Sequence, residues 1–126
     1  MDDAAGGDTL FSTLADEHLA DAEVTWGRVL GRDALAVRGT AFAFLEGGRL
    51  AVKLSPSRAV EVAASPEAGP VALGPDRTLR HWVAVAPPAD GEEPWRALLA
   101  EARRHATAVA DLGQTGPGRR GKRSSS

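Results

Sequence analysis

The run Gly39–Pro56, GTAFAFLEGGRLAVKLSP, constrains the fold more than any other part of the chain. Two short apolar segments flank Glu46-Gly47-Gly48-Arg49, and a Ser-Pro pair follows at once. A two-residue hairpin turn needs positive φ at its centre, which glycine adopts without steric cost. Serine caps a helix, and proline at the first helical position loses no needed donor. The local order is therefore strand, turn, strand, helix. With Gly47-Gly48 as the turn, Glu46 faces Arg49, Leu45 faces Leu50, Phe44 faces Ala51, Ala43 faces Val52 and Phe42 faces Lys53. Side chains alternate across a strand. One sheet face then receives Ala41, Ala43, Leu45, Leu50, Val52 and Leu54, and the other receives Phe42, Phe44, Glu46, Arg49 and Lys53. The aliphatic face is the better match for packed helices; a one-residue slip would exchange the faces of one strand.

The rest of the chain extends this unit. Asp8 caps a helix running to about Ala20, with Leu10, Phe11, Leu14 and Leu19 on one stripe. Val24–Leu30 and the short Leu35–Arg38 read as strands leading into Ala41–Leu45. A short helix spans Pro56–Ala64. Glu67–Arg80 is a Gly/Pro-rich excursion with a short strand at Val71–Leu73, and Trp82–Ala86 is a strand halted by Pro87-Pro88. Asp90 and Glu93 stand at capping-box spacing. Trp95, Leu98, Leu99, Ala102, Ala106 and Val109 form a helical stripe that Gly113 ends. The fold class expected is α+β: an antiparallel meander or hairpin sheet with an N-terminal helix, a short middle helix and a long C-terminal helix packed on it. Residues 8–112 form the single domain. Residues 1–7 read as a disordered leader, and 113–126 as a disordered basic, serine-rich tail.

Composition excludes several function classes. The 126 residues suffice for one domain with one core. There is no cysteine, so disulfides, zinc-thiolate sites and thiol catalysis are ruled out. The acidic start MDDAAGGD has no basic region and no apolar run, unlike a signal peptide. No apolar segment approaches the roughly 20 residues that span a bilayer. A cytoplasmic protein with no membrane contact is expected. The abundance of Ala, Gly, Arg and Val, with little Lys, is the bias of a high-GC bacterial genome.

Charge is unevenly placed. Residues 1–23 carry seven acids and no Lys or Arg, whereas residues 24–58 carry six bases and two acids. The tail adds Arg119, Arg120, Lys122 and Arg123. A dedicated duplex-DNA binder carries a strongly basic domain; here only the strand region and the tail are basic. Phe42, Phe44 and Lys53, placed on one sheet face, have the logic of a stacking platform with a phosphate contact. The alternative is a second buried face, or an edge covered by the Glu67–Arg80 loop. His81 lies in the polar-aromatic cluster Asp76–Trp82, where Arg77 and Arg80 join it as candidate anion contacts. Arg38, Arg49 and Arg58 complete the set of candidate nucleic-acid contacts, with solvated edge charges as the competing account. His18, His81 and His105 sit in three separate elements without a metal-ligand spacing. Glu92-Glu93 and Asp16-Glu17 are explained by capping and solubility. No residue pairs a nucleophile with a base, so no catalytic residue, metal or cofactor is expected.

The run FAFLEGGRLAVKLSPSRAVE, then RHWVAV, then the helix WRALLAEA, resembles the MmcQ/YjbR group of small bacterial proteins, related to the N-terminal domain of the competence regulator TfoX. Phe42, Phe44, Leu45, Gly48, Leu50, Val52, Lys53, Leu54, Pro56, Trp82, Val83, Val85 and Trp95 carry the resemblance. It implies a compact fold with an antiparallel sheet and helices packed on it, and a nucleic-acid role suggested for the group on structural grounds. The Met-Phe-Gly-Gly segment that opens the TfoX strand region is here Val24-Thr25-Trp26-Gly27. The expectation is a binding module, not an enzyme, with weak and unselective nucleic-acid contact as its leading activity. The alternative is a protein-interaction module that uses an apolar helix groove or a sheet edge. A continuous basic face favours the first; dispersed charges favour the second.

Overall fold

A computed structural model describes residues 3–29, 31–74, 77–89 and 91–115. The chain runs α1 (Asp3–Leu19), β1 (Val24–Val29), β2 (Arg32–Val37), β3 (Thr40–Glu46), β4 (Arg49–Lys53), α2 (Pro56–Ala63), β5 (Ala68–Gly74), β6 (Arg77–Val85) and α3 (Glu93–Thr115). The strands form one antiparallel sheet in the order β1-β2-β3-β4-β6-β5. The architecture is the α+β one that the hairpin and the helical stripes predict. No helix among the described residues is long and apolar enough to cross a membrane.

The β3–β4 hairpin has the expected register, Glu46 facing Arg49 through to Ala43 facing Val52. Gly47 and Gly48 take φ of 58° and 81°, the all-positive pair of a type I′ turn. The pairing of Phe42 with Lys53 is not made. Leu35 pairs with Ala43 while the next residue, Ala36, pairs with Ala41, so Phe42 is an extra residue bulged out of the β2–β3 ladder. A bulge reverses the alternation beyond it. Phe42 therefore joins the helix-facing core with Leu35, Val37, Leu50, Val52, Leu54, Leu99 and Trp95, and Ala41 packs on the opposite face.

α3 crosses β2, β3 and β4, α1 packs over β1, β3 and β4, and α2 lies on β6. Trp95 and Leu99 are fully buried, as their stripe predicts; Trp95 Nε1–H donates to the Ala86 carbonyl at 3.0 Å. Near the C-terminal end the buried stripe passes through Ala110, and Val109 is exposed.

Three boundaries differ from the sequence expectation. α1 begins at Asp3, so Asp8 is inside the helix and residues 3–7 of the expected leader are helical. The reason is tertiary: Gly7 lies against the β3–β4 turn so closely that a Cβ there would stand 2.2 Å from the Gly48 carbonyl oxygen. α3 continues through Gly113 to Thr115; residues 116–126 of the expected tail lie outside the described residues, as does Asp90. The 67–80 excursion is a hairpin, β5 with β6, whose register breaks twice, between Pro70 and Ala72 and between Ala72 and Gly74. Its Val71 and Leu79 pack with Phe44, Ala51, Trp82 and Ala84 on the second sheet face.

Candidate functional site

The cations of the strand region can be followed one by one. Arg38 occupies the β2–β3 turn with φ of 49°, and Gly39 follows at 86°. Its guanidinium reaches Asp111 of α3 at 2.6 Å and Glu23 at 3.7 Å. Arg49 meets Glu46 across the β3–β4 turn at 3.0 Å. Glu46 also meets Arg32, whose guanidinium carbon stands 5.5 Å from the Phe44 ring centroid. Arg28 pairs with Asp33 and donates to the Gly31 carbonyl. Arg58 on α2 grips both carboxylate oxygens of Glu101, at 3.1 and 2.8 Å, and also Glu61. These carboxylates hold the Arg58 guanidinium more firmly protonated than usual, the Glu101 hydrogen bonds first.

The helices are tied in the same way. Arg96 of α3 meets Glu17, Glu92 and Glu93. Arg103 meets Asp21 and stands 3.4 Å from His18 Nδ1. Among the described side chains, Lys53 and Arg104 are the Lys and Arg residues without a carboxylate partner.

The structure separates the expected contacts. Arg49 sits at the end of the sheet that holds the β3–β4 turn, with Arg28 beside the β1–β2 turn at that same end. Arg38 and Lys53 are at the opposite end. Arg58 is on α2. Phe42 and Phe44 are both 0% exposed and belong to opposite faces, so they form no platform on which a base could stack. Phe44 meets Trp82 instead, with ring centroids 5.1 Å apart. His81 lies inside β6 at φ of 69°, where the ladder to β5 is irregular, and its carbonyl accepts from the Leu54 N–H at 3.0 Å. The side chains of Arg77 and Arg80 lie outside the described residues. His81, Lys53 and His105 share one end of the molecule: the His105 imidazole has a lowered proton affinity, from burial first and then from Lys53 and His81. No group of three His, Asp or Glu residues suited to a metal ion occurs among the described residues.

Two features escaped sequence reasoning. One is a cleft of about 840 Å³ between α2, the end of β6 and the start of α3. Val62, Val85, Pro87, Pro88 and Leu98 line it, with Arg58, Glu61 and Glu67 among its polar residues. In the sequence, Pro87-Pro88 signals only the end of a strand. The other is Trp26, 49% exposed on β1, with its ring 6.3 Å from that of Phe11. Periodicity alone could not expose Trp26, because its exposure follows from β1 being the edge of the sheet. The chain matches no protein-family model, no curated protein and no solved structure.

Proposed function

We propose that this protein is a binding module of the MmcQ/YjbR type whose ligand is another protein surface, not an enzyme and not a dedicated nucleic-acid binder. The observation that carries this reading is the half-exposed Trp26 on a six-residue edge strand that has no strand on its outer side among the described residues. A large aromatic side chain beside unpaired backbone groups is the material from which strand-addition interfaces are made. The distribution of charge supports the same choice. Arg38, Arg49 and Arg58 are each held by a carboxylate, and Arg38 and Arg49 stand at opposite ends of the sheet. The β3–β4 hairpin followed by a short helix, and the strand β6 before the long last helix, support the family resemblance, and a cytoplasmic location goes with it.

A second reading, non-specific nucleic-acid contact, is favoured by the carboxylate-free Lys53 near His81 and His105. A titration of the full chain with single- and double-stranded DNA and RNA at about 50 mM salt, where phosphate contacts are strong, separates the two. The expected result is no binding, or weak binding lost when Arg119, Arg120, Lys122 and Arg123 are changed to Ser. Binding that survives those changes and disappears with Lys53→Glu would overturn the protein-ligand reading.

A further inference from the structure

We infer that the β1 edge is a self-association surface, on which a second copy of this chain lays its own β1 antiparallel to the first and joins the two sheets into one. This rests on the interaction-module reading and names its partner. The argument starts from hydrogen-bond parity. In an antiparallel hairpin, alternate residues exchange their N–H and C=O with the partner strand, and the residues between them point those groups outward. The Arg38 N–H donates to the Glu23 carbonyl at 3.0 Å, and the register runs unbroken from Val24 facing Val37 to Val29 facing Arg32. Both observations put Glu23, Thr25, Gly27 and Val29 on the inward row. Val24, Trp26 and Arg28 then turn their backbone groups to the open edge. The Val24 N–H is the exception, being already given to the Asp21 carbonyl.

This outward row is self-complementary. Two identical antiparallel strands related by a two-fold axis meet side chain to like-facing side chain when the axis passes through a residue. The outward row has Trp26 at its centre. With the axis there, each Trp26 exchanges N–H and C=O with Trp26 of the second copy. Each Arg28 N–H reaches the opposite Val24 carbonyl, the one group of Val24 still free, so the blocked Val24 N–H is not needed. The two indoles lie side by side, next to Phe11 of α1, and the exposed part of each is covered. Arg28 comes to lie across from Val24 of the second copy, on the same face as the two indoles. The far edge of the sheet offers no such template. β5 carries Pro70, which has no N–H, and its ladder is broken twice.

Sedimentation equilibrium on the full chain, over a concentration series up to about 1 mM, the weak end of specific association, tests this. The mass is expected to rise from 13.1 kDa towards twice that value. Over the same series the Trp26 and Arg28 amides should become slow to exchange, and tryptophan emission should shift to the blue. The emission reports on Trp26 because Trp82 and Trp95 are buried. Trp26→Thr should remove the association. Arg28→Pro should also remove it while keeping the indole and the fold, since the lost N–H is one that β2 does not use. A wild-type chain that stays at 13.1 kDa throughout overturns the proposal and leaves the interaction-module reading to its own nucleic-acid titration. Arg28→Pro that folds and associates as well as wild type also overturns it, because the copies would then meet elsewhere.

Discussion

Gly7 and His18 both take their character from what lies beyond their own helix. Intrinsic propensity says that Gly7→Ala should stabilise α1 by about 1 kcal/mol. The added Cβ would stand 2.2 Å from the Gly48 carbonyl oxygen, and a backbone atom in a two-glycine turn has little room to retreat. Overpacking of this kind costs about 1–3 kcal/mol, so the variant is expected to melt below wild type. A higher melting temperature would mean that α1 does not rest on the hairpin. His18 lies edge-on to Phe42 at 6.0 Å, with Arg103 beside it. Burial first, and then Arg103, lower its proton affinity, with Glu17 opposing. The unfolded chain therefore takes up this proton before the folded one does. The linked stability is complete above the ordinary histidine value of 6.5 and is lost as pH falls through it towards the lower folded value. His105 has the same sign. Glu17 and Asp21 act only below the ordinary carboxylate range, because their folded values are lowered. Melting at pH 7.5 and at pH 5.5 should show a drop for wild type that His18→Gln reduces. An equal drop in both would place its origin elsewhere.

At the scale of elements, the hairpin and the last helix were legible and the bulge was not. The I′ turn and its register follow from two glycines between alternating residues. The α3 stripe follows from a 3.6-residue period, so Leu99 was readable as a core residue. Leu99→Ala should cost about 2–5 kcal/mol, the usual range for a buried leucine. A denaturant midpoint unchanged by the substitution would show that α3 presents another face. Phe42 was misplaced because alternation counts residues from the turn and cannot see an extra one inserted by the neighbouring strand. The insertion turns an apparent aromatic platform into a single core residue under α1. The β5–β6 hairpin was hidden for a related reason: glycine and proline read as loop, yet both are tolerated at a sheet edge where few ladder bonds are required.

For the whole molecule, protection should follow strand position. Amides of β3 and β4, covered by α1 and α3 and flanked by strands on both sides, should exchange last, and those of β5 among the first. Slower exchange in β5 than in β4 would contradict the strand order. Charge also becomes interpretable only at this scale. The sequence displays a basic segment between acidic helices, and the folded chain pairs charges from distant segments at its surface, Arg38 with Asp111, Arg58 with Glu101 and Arg96 with Glu17. Those partners are 43 to 79 residues apart along the chain. Of the candidate contacts, Lys53 and His81 keep one end of the sheet in common, while Phe42 and Phe44 lie buried on opposite faces. By itself the sequence determined most of the elements, the β3–β4 register next to its turn and the main apolar stripes, because these depend on turn chemistry and on periods of two and 3.6 residues acting over short distances. The tertiary structure alone decided which strand is the exposed edge, which aromatic residue remains in water and which charges are neutralised. Each of these depends on segments distant in sequence meeting in space, and no local pattern records that.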